Sequence, residues 1–201
     1  MMFALQRPYL YKDTMVAIFW LQISYKVPPE PATRRVALWR RLKGMGAVYL
    51  RDGVCLLPKT DDHLRRLRMI ENEIGEMGGE AVLLEATGLD RVQEERVIDR
   101  FKADRNAEYE EFLGKCRDYE AEIAKETAGR HFTFAELEEN DQDLTKLKRW
   151  LEKIARLDFY GAPLAHEAGD RSARCEALLE EFSRHVFAAR DERPAGDAEE
   201  D

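Results

Sequence analysis

The sequence predicts an α+β protein, in which a β-α-β-β-α-β half precedes an α-helical half. An Asp-Gly pair at residues 52–53 lies between two β-prone runs, which is a strong short-range signal for a hairpin. After residue 90, apolar residues recur every three or four positions, as they do in amphipathic helices. We therefore expect a sheet-containing domain over residues 15–90 and three amphipathic helices over residues 91–190.

A proline-rich turn separates the first predicted strand from the first predicted helix. Apolar residues alternate in the run from Val16 to Tyr25, which predicts a strand with one face in a core. The core face carries Phe19, Leu21, Ile23 and Tyr25, and the other face carries Trp20, Gln22 and Ser24. The helix is expected from Ala32 to Lys43, since prolines are tolerated at a helix start. Its apolar positions are Val36, Leu38, Trp39 and Leu42.

The hairpin is expected over residues 47–58, with Asp52-Gly53 in a type I′ turn that has positive φ at both central residues. Thr60 is expected to cap a second helix, whose apolar positions are Leu64, Leu67, Ile70 and Ile74. Glycines at 78–79 end this helix, and residues 80–85 predict the last strand. This order is the ferredoxin-like pattern, in which both helices cover one face of a four-stranded antiparallel sheet.

The second half is predicted to be helical throughout. One long helix is expected around the region from Ile98 to Thr127, and a capping box at residues 133–136 begins the next helix, which ends at 161–163. A third helix carries Cys175, Leu178, Leu179, Phe182 and Val186. We expect residues 191–201 to form a disordered acidic tail, and residues 1–14 to form an extension before a candidate start at Met15.

Composition and motifs exclude several classes of protein. The longest apolar stretch, Met15–Leu21, is too short for a membrane span, which needs about 20 residues. The three cysteines have no paired spacing typical of disulfide frameworks or zinc sites. We found no nucleophile elbow, phosphate-binding loop or metal-ligand motif. We therefore expect a soluble, cytoplasmic protein that is not an enzyme and uses no metal or cofactor.

Charge is distributed unevenly along the chain. The net charge is −8, yet residues 26–68 hold 11 basic and four acidic side chains. The basic residues concentrate on the two helices of the first half, and they are Arg34, Arg35, Arg40, Arg41, Lys43, Arg65, Arg66 and Arg68. Both helices cover the same face of the sheet, so these side chains predict one positive surface suited to phosphate or another oxyanion. An equally supported alternative is that these basic side chains form ion pairs with acidic residues of the helical half.

Several blocks of sequence resemble one family. They are WLQISYKVPPEP at 20–31, RVALWRRLKGMGAVYL at 35–50, DGVCLLP at 52–58, FTFAELEEN at 132–140 and WLEKIARLDFYGAP at 150–163. Over roughly residues 16–190 the chain is similar to the N-terminal domain of the chromate resistance protein ChrB family. Longer members of that family add a C-terminal domain, so we expect this chain to be a short form without it.

The resemblance implies a bacterial regulator of a chromate efflux operon. Our leading hypothesis is a homodimer that binds DNA through the positive surface. The alternative is a dimeric interaction or oxyanion-sensing module without DNA binding, in which arginines bind chromate or another oxyanion. In that alternative, two copies pair through the face with Trp20, Gln22 and Ser24 or through the helix over residues 90–128. An enzyme, such as a chromate reductase, is the third hypothesis.

Overall fold

The computed structural model describes residues 18–191 and confirms the predicted α+β class. The elements of the first half are β1 (Trp20–Lys26), α1 (Ala32–Gly44), β2 (Val48–Arg51), β3 (Val54–Pro58), α2 (Asp61–Glu76) and β4 (Glu80–Ala86). Three long helices follow, namely α3 (Arg91–Ala128), α4 (Phe134–Arg156) and α5 (Ala165–Asp191). The predictions for residues 1–14, for Met15 as a start and for the tail beyond residue 191 fall outside the described residues.

The four strands form one antiparallel sheet in the order β2-β3-β1-β4. Strand β1 is central, and its Ile23 lies opposite Cys55 of β3 and opposite Leu83 of β4. The first strand therefore pairs with the third and fourth strands. This is the ferredoxin-like arrangement that the element order predicted.

Helices α1 and α2 cover one face of this sheet, as predicted. The buried residues of this core are Leu21, Ile23, Leu38, Leu42, Met45, Ala47, Cys55, Leu57, Leu67, Ile70 and Ile74. The cap of α2 is also confirmed, because the Thr60 hydroxyl accepts the backbone N–H of His63 at 3.0 Å. Only half of the predicted apolar set of α1 is buried, since Val36 and Trp39 are exposed.

The hairpin is confirmed in position, but the predicted turn type is wrong. Gly53 has a φ of +71°, whereas Asp52 does not have a positive φ. A type I′ turn needs a positive φ at both residues. The pairing of β2 with β3 also shifts register between Tyr49 and Arg51, so an irregularity in β2 accompanies the turn.

The second face of the sheet is covered as well, contrary to the prediction of a core on one face only. Trp20 is 1% exposed and packs in a cluster that includes Phe101 of α3. Its indole N–H donates to the hydroxyl of Tyr160 at 2.9 Å. At Trp20, this face is therefore filled by the same chain and cannot pair with a second copy, while Gln22 and Ser24 are half-buried.

The chain forms two compact units, each made of segments that are separate in the sequence. Among the described residues, the first unit contains 18–105 together with Leu157–Ala162. The second unit contains Asn106–Arg156 and residues 163–191. A boundary at residue 90 falls inside the first unit, because the beginning of α3 packs on the sheet.

Helix α4 ends at Arg156, earlier than the predicted end near Gly161. Phe159 and Tyr160 follow the helix and pack around Phe101, with ring centroids 6.2 and 5.1 Å from that of Phe101. Both aromatic residues therefore pack in the sheet unit, beyond the end of the helix.

The second unit buries four of the five apolar positions predicted for the third helix, and the fifth, Leu178, is half-buried. Its buried apolar residues include Tyr109, Phe112, Cys116, Tyr119, Ile123, Leu144, Leu147, Ile154, Cys175, Leu179, Phe182 and Val186. The buried hydroxyl of Tyr119 has no hydrogen-bond partner among the described residues. Within residues 18–191, none of the helices combines the length and the apolar character that crossing a membrane requires.

Candidate functional site

The basic residues predicted from the sequence lie on the two helices that cover one face of the sheet. Helix α1 carries Arg34, Arg35, Arg40, Arg41 and Lys43, and α2 carries Arg65, Arg66 and Arg68. Six of these side chains are exposed, while Arg41 and Lys43 are half-buried. These eight basic residues therefore lie on one helical layer of the first unit.

Half of these residues are held by carboxylates of the same unit. Arg41 forms an ion pair with Glu73, which links α1 to α2. Lys43 Nζ lies 2.6 Å from Asp104 Oδ2. Asp62 holds two arginines of its own helix, and it lies 3.1 Å from Arg65 and 2.7 Å from Arg66.

The other four residues, Arg34, Arg35, Arg40 and Arg68, have no ion pair with a carboxylate within the described part of the chain. All four are exposed. An arginine keeps its charge at every physiological pH and has five N–H donors arranged in a planar fork. We call these four residues the open arginines, and they are the part of the predicted surface that can contact an external anion.

A cleft of about 840 Å³ lies beside α1 and contains one of the open arginines. One wall is formed by α1, through Arg35, Val36, Trp39 and Lys43. Trp39 and Lys43 follow Arg35 by four and eight residues, so they lie about 40° and 80° from it around the helix. The opposite wall comes from the end of β1, from Tyr49 of β2 and from the hairpin turn. We call this feature the α1 cleft.

Two tyrosine hydroxyls at this wall are joined by a hydrogen bond. The hydroxyl oxygens of Tyr25 and Tyr49 lie 3.0 Å apart. Burial raises the pKa of both phenols above the usual value of 10.0, so both are protonated at neutral pH. The charge of Asp52 also raises the pKa of Tyr25, and the charge of Arg35 lowers it. Lys43 Nζ lies 5.8 Å from the centre of the Tyr49 ring.

The sequence analysis missed the contributions of Tyr25, Tyr49 and Trp39 to this cleft. It assigned Tyr25 and Trp39 to apolar faces because aromatic residues at such spacings are most often core residues. The signal that was present is the spacing of Arg35, Trp39 and Lys43, which puts two cations and an indole on one side of α1. Predicting the contact between Tyr25 and Tyr49 requires the register of β2 against β3, and the predicted turn type did not provide that register.

The described residues contain neither a metal cluster nor an accessible thiol. In residues 18–191, no group of three or more His, Cys, Asp and Glu side chains is arranged to hold a metal ion. The cysteines at 55, 116 and 175 are all buried. Burial also raises the pKa of Cys55 to about 12, so this thiol is protonated at neutral pH and a poor nucleophile.

Comparison with known proteins places the chain in a family. A family model described as "Protein ChrB, N-terminal" matches residues 35–193. Protein ChrB of Cupriavidus metallidurans strain CH34 is 25% identical over 169 residues, which cover 83% of this chain and 46% of that relative. The chain thus spans about half the length of the curated relative that it matches. Because the family model covers most of the chain, including all of α2 to α5, the protein belongs to the ChrB N-terminal family.

Proposed function

We propose that this chain is a non-enzymatic regulatory protein of chromate resistance, which binds DNA and controls transcription of a chromate efflux operon. Membership of the ChrB N-terminal family supports the link to chromate resistance. The observation that carries DNA binding is the set of open arginines on α1 and α2. The proposal gives the chain no catalytic step, because the sequence has no nucleophile elbow, phosphate-binding loop or metal-ligand motif.

The open arginines suit contacts with the DNA backbone. A guanidinium can donate two parallel hydrogen bonds to the oxygens of one phosphate. A side chain already held by a carboxylate would have to give up that pair first, as Arg65 and Arg66 would have to leave Asp62. The surface is therefore expected to bind phosphates mainly through the four open arginines. Such contacts fix position and supply affinity but do not read the sequence.

Titration of labelled DNA at several salt concentrations tests this proposal. Each phosphate contact contributes about −0.9 to the slope of log K against log salt for duplex DNA. We therefore expect Arg34→Ala/Arg40→Ala to weaken binding of both the operon promoter and random DNA and to reduce the slope by about 2. Fluorescence anisotropy with both DNA fragments measures both quantities.

The matched control is Arg65→Ala/Arg66→Ala, which removes the same formal charge from side chains that Asp62 already holds. A smaller loss is expected for this control. The proposal is wrong if the unmodified chain fails to bind DNA at low salt, or if the two double variants weaken binding equally.

A further inference from the structure

We propose that the α1 cleft binds a small organic anion that carries a flat apolar group. This inference concerns a ligand other than DNA and does not depend on the proposed DNA binding. It follows from three properties of the cleft, which are its charge, its exposed indole and its size.

The charge of the cleft favours an anion. Among the described residues, the cleft is lined by three basic residues and one acid, which are Lys26, Arg35, Lys43 and Asp52. Arg35 has no carboxylate partner there, whereas Lys43 is shared with Asp104. An anion beside Arg35 would form an ion pair with its guanidinium. No existing ion pair of that side chain would have to break first.

The tyrosine pair adds a hydrogen-bond donor to the same place. Tyr25 and Tyr49 together have two hydroxyl hydrogens, and the bond between the two hydroxyls uses one of them. The second hydrogen remains for a carboxylate or similar group of a ligand. Arg35 lines the same cleft as both tyrosines, so its guanidinium and a phenol can act on one anionic group there.

The apolar side chains of the cleft favour an organic ligand over an inorganic oxyanion. Trp39 is 49% exposed and Val36 is 44% exposed, and both line the cleft next to Arg35. An aromatic group that lies against the Trp39 ring would cover this surface, and aromatic pairs contribute beyond their buried area. A tetrahedral oxyanion would leave the indole uncovered.

The size of the cleft leads to the same conclusion. Clefts that enclose small organic ligands have volumes of about 300–1,000 Å³ and combine apolar walls with a few polar groups. The α1 cleft, at about 840 Å³, lies in this range. It is far larger than chromate or sulfate, each of which would contact only one end of it.

Calorimetric titration with four probes tests the inference on the full chain. The probes are 2-naphthoate, the neutral analogue 2-naphthalenemethanol, sulfate and chromate. We expect 2-naphthoate to bind at least about tenfold more tightly than each of the other three, since it alone has both the charge and the flat group.

Single substitutions locate the binding site. Arg35→Gln should weaken 2-naphthoate at least about tenfold and leave the weak binding of the neutral analogue unchanged. Trp39→Ala should weaken both aromatic probes, and its exposed position makes misfolding a small risk. Arg34→Gln is the matched control, because it removes the same charge from the adjacent residue, which does not line the cleft.

Each contrary result overturns the inference. Equal binding of sulfate or chromate would assign the cleft to an inorganic oxyanion, and equal binding of the neutral analogue would make it an apolar groove. No binding of 2-naphthoate to the folded chain would leave the cleft without this function. The variant Arg34→Ala/Arg40→Ala separates the two proposals, because it should bind 2-naphthoate normally even where DNA binding is lost.

Discussion

Two tyrosines allow the same chemical change to be made in two opposite environments. Tyr160→Phe removes the oxygen that accepts the indole N–H of Trp20 at 2.9 Å. Tyr119→Phe removes a buried oxygen that has no partner among the described residues. Both substitutions delete one hydroxyl and preserve the ring, so a difference between them reports the contacts of the Tyr160 hydroxyl, which include its bond with the Trp20 indole.

The expected size of this difference follows from burial. Trp20 is 1% exposed, so water cannot replace the lost acceptor. A buried donor left without a partner costs about 1–3 kcal/mol, and Tyr160→Phe should lower the free energy of unfolding by that amount. Tyr119→Phe removes a polar atom that burial already penalises, so it should change the free energy of unfolding by less than about 0.5 kcal/mol or raise it.

Urea denaturation followed by tryptophan fluorescence measures both values, and an unchanged dependence on urea shows that the unfolding transition itself is the same. A double-mutant cycle with Trp20→Phe isolates the pair, since removing both partners should cost less than the sum of the single losses. Equal effects of Tyr160→Phe and Tyr119→Phe would refute the assignment of Tyr160 as the partner of Trp20.

Three further predictions concern the first unit. Burial raises the pKa of Tyr49 above 10.0, so the unfolded chain loses this proton at a lower pH than the folded chain does. The free energy of unfolding should therefore fall as pH rises above 10.0, and urea titrations should show a shallower fall for Tyr49→Phe. Gly53→Ala should lower the free energy of unfolding by more than about 1 kcal/mol in urea denaturation, because the φ of Gly53 is +71° and the new Cβ would lie 2.3 Å from the carbonyl oxygen of Tyr25. An unchanged free energy of unfolding would contradict this turn geometry. Thr60→Ala should cost about 1 kcal/mol in the same assay because the N–H of His63 loses its cap, and a neutral result would contradict the capping assignment.

The sequence predicted the parts of the fold that depend on local patterns. The order of strands and helices in the first half, the hairpin at Asp52-Gly53 and the Thr60 cap each depend on residues within a few positions of one another. Helix α3 was also predicted, because apolar residues spaced three and four positions apart form a stripe along one side of a helix. This spacing is visible in the sequence regardless of what the stripe packs against.

Features that depend on distant residues were not predicted correctly. Trp20 was assigned to an open face, but its partner Tyr160 lies 140 positions away, where no local pattern connects the two. For the candidate site, the eight basic residues were identified from composition, yet their division into paired and open groups was not. That division depends on tertiary contacts such as Arg41 with Glu73, which bring separate helices together.

The return of residues 157–162 to the sheet unit has a consequence for dissecting this protein. The polypeptide passes from one unit to the other three times, after residues 105, 156 and 162. A fragment cut after Arg105 would therefore lack Phe159 and Tyr160, and it would expose the indole of Trp20 and the ring of Phe101 to water. The shortest continuous stretch that contains the described part of the sheet unit runs from residue 18 to residue 162. A smaller version of this unit would need a designed linker that joins residue 105 to residues 157–162.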